Sequence, residues 1–200
     1  MKWFLCDVET TGLDPERHGI TQIAGIVFSG DRLGTTQFKE LEAIDLKVAP
    51  FPGDEIDPEA LIQQGRTKEE IMAYPDPSAA HRELENILGR HVDKFNRKDK
   101  LFFAAYNVQF DYQFVRRWFT KCADKYFGSW FWSSPAIDIL TVAGLELADR
   151  REGMANFKLV TVAETLGIKP EGQAHDAMVD IRMAAQVFQM CTLRRTAHGT

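Results

Sequence analysis

The chain has 200 residues, 44% hydrophobic and 26% charged, with a formal net charge of −5. This is the composition of one soluble globular domain, long enough to bury a core without disulfides or a structural metal. The acidic balance argues against broad electrostatic wrapping of duplex nucleic acid. It does not exclude a small-footprint enzyme whose bound metal ions supply positive charge locally.

The three cysteines, Cys6, Cys122 and Cys191, are far apart and form no CxxC pair, so a reducing cytoplasm is the expected compartment. MKWFLCDVE is too short and too soon acidic for a signal peptide, and no run approaches 18 apolar residues. The protein is expected to be neither secreted nor membrane-spanning.

In chain order, WFLCDVE reads as a first strand and TQIAGIVFS as a second. GDRLG carries hairpin turn chemistry, and TTQFKELEAIDLKV follows as a third strand, so an antiparallel meander is expected. PEALIQQG reads as a short helix with Pro58 near its start and Gly65 past its end. Thr67 with Glu70 forms a capping box for KEEIMAY, and Ser78 is expected to cap a helix over residues 79–95.

LFFAAYN is a continuous apolar run, and so a buried central strand, followed by a helix over residues 111–126. AIDIL is a short strand leading into a helix through LELADR. Helices over NFKLVTVAETLGI and HDAMVDIRMAAQVFQM follow. Hairpin strands and then alternating strands and helices give an α/β fold with a mixed sheet. Residues 1–192 read as a single domain and 193–200 as a flexible tail.

Asp7 and Glu9 interrupt the first strand one residue apart and project from the same face. The same acid-x-acid spacing recurs at Asp14/Glu16, Glu40/Glu42, Asp57/Glu59 and Glu83/Glu85. Two readings of Asp7/Glu9 stand: solvated acids at an exposed strand end, or ligands for a hard cation such as Mg²⁺ or Mn²⁺ that offsets their repulsion. Asp111, in YNVQFD, follows the buried strand, where α/β folds place functional groups and where a helix also takes a capping acid. In AHDAMVD, His175 and Asp180 address one site only if His175 lies at or before the helix start, and Asp176 is assigned to capping.

DVETTGLDP, then NVQFD, then HDAMVD, in that order, resemble the three motifs of the DEDD exonuclease superfamily, histidine subgroup. That group includes a proofreading subunit of bacterial replicative polymerase, ribonuclease T and oligoribonuclease. The resemblance runs from Phe4 to about Val187 and implies a ribonuclease H-like fold, a mixed five-stranded sheet flanked by helices. It makes Asp7, Glu9, Asp111 and Asp180 the ligands of two divalent cations, Mg²⁺ or Mn²⁺, and His175 the general base. All five are catalytic in this reading.

In similar enzymes the residues after the first motif hold the terminal nucleotide, which points at Thr10, Thr11 and Gly12. Asn107 and Phe110 either contact the substrate or pack the strand-to-helix corner. Asp138 either lies beside the metal ligands or caps a helix. The implied activity is a 3′→5′ exonuclease on the 3′ end of single-stranded or frayed DNA, releasing nucleoside 5′-monophosphates.

An exoribonuclease or short-oligonucleotide exonuclease is the alternative, and a non-catalytic polymerase-binding module the remaining one. The chain ends soon after the third motif, so it is expected to act alone or to meet a polymerase or homodimer partner through another surface. YFGSWFWSS, residues 126–134, reads as core beneath the adjacent helix or as an aromatic partner or substrate surface.

Overall fold

A computed structural model describes residues 1–30, 38–169 and 177–197, with side chains to residue 192. Most of the expected hairpin turn, the start of the third expected strand, His175 and Asp176 lie outside the described residues.

The first strands form the expected meander: β1 (Lys2–Thr10), β2 (Ile20–Ser29) and β3 (Lys39–Lys47). β1 pairs antiparallel with β2, and β2 antiparallel with β3. On its other side β1 runs parallel to β4 (Phe102–Ala105), and β4 runs parallel to β5 (Ile137–Asp138). The resulting five-stranded mixed sheet has the order β3-β2-β1-β4-β5.

Strand alternation splits the core in two. Phe4, Cys6 and Val8 of β1 join a cluster with α3 (Pro77–Gly89) and α4 (Val108–Lys121). Trp3 and Leu5 face the opposite cluster, built from α6 (Ile139–Glu146), α7 (Leu159–Leu166) and α8 (Ala177–Ala197). Because both faces are covered, β2 is buried at nearly every position, whereas the edge strand β3 is mostly exposed.

Three short helices complete the frame: α1 (Pro58–Gln64), α2 (Lys68–Met72) and α5 (Phe127–Trp130). α1 has Pro58 in its first turn and ends on Gly65 at φ 63°, a left-handed conformation that glycine adopts without steric cost. At α2 the Thr67 hydroxyl accepts the Glu70 N–H at 3.1 Å. A 3-10 turn, Ala148–Gly153, follows α6. No helix among the described residues is long and apolar enough to cross a membrane.

The third helix, α3, differs at both ends from what its sequence predicts. Asp76, not Ser78, caps α3: its carboxylate accepts the N–H groups of Ser78 at 2.9 Å and Ala79 at 3.1 Å, with Pro77 at the first helical position. Aspartate followed by proline is the stronger start signal, since it supplies an acceptor and a preset φ together. The helix stops at Gly89 rather than residue 95. Asp93 turns back to accept the Phe95 N–H, and Lys2 binds both the His91 carbonyl and Asp99, which fixes the following turns. Val92 still reaches the core, but Phe95 is exposed.

α4 also begins earlier than residue 111, so Asp111 lies within its first turn. In the aromatic stretch, Trp130 is 2% exposed and Phe131 is fully buried, with the Phe131 ring 5.6 Å from Phe4 and 5.4 Å from Phe103. Tyr126 alone stands out, at 69% exposed.

Candidate active site

β1 carries its carboxylates beyond the end of its parallel neighbour. Pairing with β4 runs from Trp3 to Leu5, and β4 stops at Ala105. Past that point one edge of β1 has no strand beside it, and an unpaired buried N–H costs about 1–3 kcal/mol. Asp111 answers this need: its Oδ1 accepts the Val8 N–H at 3.0 Å from the first turn of α4. This bond fixes Asp111 against the strand that carries Asp7 and Glu9.

The electrostatics show that the acids converge. Asp7 is half-buried, and its carboxyl is pushed well above the usual carboxylate range, first by desolvation and then by the charges of Asp111, Glu9 and Asp180. Asp180 reaches this point because α8 packs across β1. Asp111, only 3% exposed, is pushed up to about 8. Burial is the largest cause, the Val8 N–H works against it, and the charges of Glu9 and Asp138 add to it. Burial and the same acids also raise the Cys6 thiol behind them, which keeps it un-ionised. Thus Asp7, Glu9, Asp111 and Asp180 meet at one place, and His175 lies outside the described residues.

Asp138 combines the two roles considered for it. Its carboxylate caps α6 by accepting the Leu140 N–H at 3.2 Å, and takes the Thr141 hydroxyl at 2.7 Å. It also accepts the N–H groups of Asn107 at 3.0 Å and Val108 at 3.3 Å, at the start of α4. Asn107 sits at φ 65°, ψ 55°, a left-handed conformation that asparagine tolerates better than most residues. Asp138 therefore clamps the corner from which Asp111 projects. Asn107 is exposed at that corner, while Phe110 is half-buried, its ring 4.8 Å from that of Phe114.

The turn after β1 is braced from several sides. The Thr10 hydroxyl donates to the Gly12 carbonyl at 2.6 Å, and Gln64 of α1 donates to the Thr10 carbonyl at 2.7 Å. Thr11 is fully buried; its hydroxyl donates to the Glu55 carbonyl at 2.5 Å and accepts the Gly19 N–H at 2.9 Å. Both threonine hydroxyls are thus engaged inside the protein, and their first effect is to hold the turn. A Cβ on Gly12 would lie 2.3 Å from the His18 imidazole, so this position admits only glycine unless the ring moves.

Leu13, next in the chain, is 82% exposed beside this turn. The sequence reading passed over Leu13, Gln64 and His18. Leu13 carried a usable signal, an apolar residue inside a Gly/Pro turn with no helical or strand period to bury it.

The donor set consists of carboxylate oxygens with an excess of negative charge in a partly dry place. Hard divalent cations prefer such sites, so the residues present fit a bound dication.

A mixed sheet of order 3-2-1-4-5 with clustered acids past the end of β4 defines the class: a nuclease of ribonuclease H-like fold. The chain belongs to the exonuclease family RNase_T, whose profile matches residues 4–188, a divalent-metal-dependent family of the DEDD type. The PolC-type DNA polymerase III of Thermotoga maritima is 29% identical over 185 residues, spanning 91% of this chain but 11% of that protein. Ribonuclease T of Buchnera aphidicola is 26% identical over 189 residues, spanning 91% of this chain and 79% of the relative. Among solved structures, E. coli exonuclease I in complex with a dT13 oligonucleotide superposes with a TM-score of 0.74 at 20% identity, over 98% of this chain and 42% of that one.

Proposed function

We propose that the protein is a 3′→5′ exonuclease that removes nucleoside 5′-monophosphates from single-stranded or frayed DNA, using two divalent cations, Mg²⁺ or Mn²⁺. The observation that carries this reading is the convergence of Asp7, Glu9, Asp111 and Asp180 in an exonuclease-family fold. These four would hold the cations. Bound there, the cations would supply Lewis-acid polarisation of water and stabilisation of the leaving 3′ oxygen.

The chain's own groups do the rest. His175 takes the proton of the attacking water, a task for which an imidazole of ordinary pKa near 6.5 is suited at neutral pH. Asp138 holds the Asn107–Val108 corner, and with it Asp111, in register with β1. The braced turn at Thr10, Thr11 and Gly12 seats the 3′ nucleotide, Leu13 offers an apolar face to its base, and Asn107 and Phe110 border the strand behind it. Residues 1–192 form the catalytic domain. Cys6, Cys122 and Cys191 form no disulfide, which suits a cytoplasmic enzyme.

The runner-up substrate is RNA or a short oligonucleotide. Its support is that ribonuclease T stands among the relatives of this chain. The PolC-type relative supports a polymerase partner.

The deciding experiment incubates 5′-labelled DNA and RNA oligonucleotides of several lengths with Mg²⁺ or Mn²⁺ and resolves the products. DNA ladders shortening from the 3′ end, abolished by EDTA and by Asp7→Ala, are expected, with most of the rate lost in His175→Ala while metal binding persists. Full activity in EDTA, or an unimpaired His175→Ala enzyme, would overturn the mechanism. Exclusive use of RNA would transfer the assignment to the runner-up.

A further inference from the structure

Away from the carboxylate site, His81, Glu85 and Asp124 bring together an imidazole and two carboxylates whose ligand atoms lie within 4.8 Å of one another. His81 and Glu85 are one turn apart on α3 and share a face. Asp124 arrives from the end of α4. There Ala123 adopts φ 60°, and the Asp124 N–H returns to the Phe119 carbonyl at 2.9 Å, which reverses the chain toward α3.

The central pair has unusual geometry. His81 Nε2 and Asp124 Oδ2 are 3.2 Å apart, on side chains 6% and 9% exposed. Yet among the described residues neither atom has a well-aligned hydrogen-bond partner, so the Asp124 carboxylate acts on the imidazole mainly through its charge and a bent contact. Buried polar atoms left in this state are rare in folded proteins. Two ligands bound tetrahedrally at about 2.0–2.1 Å from one zinc ion stand roughly 3.3 Å apart. The separation therefore matches a shared cation as well as it matches a shared proton, and the misalignment favours the cation.

We propose that His81, Glu85 and Asp124 bind a single divalent transition-metal ion of the zinc class, at a site separate from the catalytic cations. The ligand set suits that class, with one borderline nitrogen and two carboxylates whose charge the dication neutralises. Edge-on contacts with Trp118 at 5.3 Å and Phe119 at 4.5 Å fix the imidazole orientation. Burial lowers the His81 pKa, favouring the neutral form that ligates.

Glu85 is the least buried ligand. Its Oε2 is 3.7 Å from Nδ1 on the adjoining edge of the ring, and its other oxygen is 3.6 Å from Lys94, so it closes the site by turning its carboxylate. A cavity of about 370 Å³ opens beside the three residues and admits the water that would complete the coordination. Asp111 lies in the first turn of α4 and Asp124 just past its C-terminal end, and the helix from Asp111 to Lys121 spans about 15 Å at 1.5 Å per residue, so the two sites are separate.

The test is a calorimetric Zn²⁺ titration, in competition with a chelator, of the intact protein and of Asp7→Ala, the latter also with Asp124→Asn or Glu85→Gln added, each checked for folding by circular dichroism. These isosteric changes are used because His81 packs into the core. One tight zinc ion is expected in Asp7→Ala, whose catalytic cation site is disabled, with affinity at least tenfold weaker when Asp124→Asn or Glu85→Gln is added to it, and Mg²⁺-supported nuclease activity unchanged in the single Asp124→Asn and Glu85→Gln variants. Loss of all tight binding in Asp7→Ala would place the ion at the catalytic carboxylates and overturn the proposal. Undiminished affinity after adding either Asp124→Asn or Glu85→Gln would do the same and leave a plain His–Asp pair.

Discussion

Replacing Asp111 by Asn should stabilise the metal-free protein while removing its response to metal. The wild-type carboxyl is 3% exposed and titrates at about 8, against about 3.9 in an unfolded chain. An acid whose folded pKa is raised holds its proton more tightly in the native state, so between those two values the native state binds more protons. Stability therefore falls as pH rises through that window, by about 1.4 kcal/mol per unit, and levels off above about 8. By pH 7 the accumulated cost approaches about 4 kcal/mol.

Asparagine mimics the protonated acid: it keeps a carbonyl oxygen for the Val8 N–H and carries no charge. Its amide needs its own partners, so we expect a net gain of about 2–4 kcal/mol at pH 7 and close to none at pH 4.5, where the wild-type acid is already neutral. Urea denaturation in EDTA at both pH values measures this directly. In Mg²⁺ the order should change, because a ligand at 100 times its Kd stabilises the wild type by about 2.7 kcal/mol and the variant by much less. Equal stability of the two proteins at pH 7, or a variant weaker by more than about 1 kcal/mol, would show that Asp111 serves as a structural acceptor and that the cluster is not under charge strain.

Other substitutions separate positioning from packing. Asp138→Ala removes acceptors at two helix starts and should cost about 1–2 kcal/mol in denaturation, with kcat falling more than KM rises; Asp138→Asn should recover most of the stability. Gly12→Ala forces a Cβ against the His18 ring and should destabilise by about 1–3 kcal/mol, a loss that adding His18→Ala should largely restore. Trp130→Ala should cost about 3–5 kcal/mol, whereas Tyr126→Ala should stay within about 0.5 kcal/mol and report on binding alone.

The sheet was legible because each strand carries its own local signal. The apolar β2 run and the short FFAA strand could only be buried, and the meander followed from short connections. The extent of α3 was less legible. Its helical period continues through Val92, but what ends the helix is a set of contacts distant in sequence, with Lys2 of β1 holding Asp99 and the His91 carbonyl. The aromatic stretch was ambiguous for a related reason. Whether Phe131 faces core or solvent depends on Phe4 and Phe103, which complete the pocket from other strands.

The candidate site was visible as motifs, yet spacing did not distinguish Asp7/Glu9 from the other acid-x-acid pairs. Three-dimensional surroundings do. Asp14 accepts the Glu16 N–H at 2.9 Å, and Glu16 pairs with Arg117 at 2.9 Å. Glu42 pairs with Arg90 and His91, Glu40 with Arg182, and Asp57 caps α1. Glu85 has Lys94 beside it. Asp7 instead faces three further acids, and the fold brings them closer by tying Asp111 to the Val8 N–H and α8 to β1. Burial and mutual repulsion raise both Asp7 and Asp111, and a bound cation relieves them. Metal affinity and metal-free instability thus have one origin, and the Asp111→Asn experiment reads both.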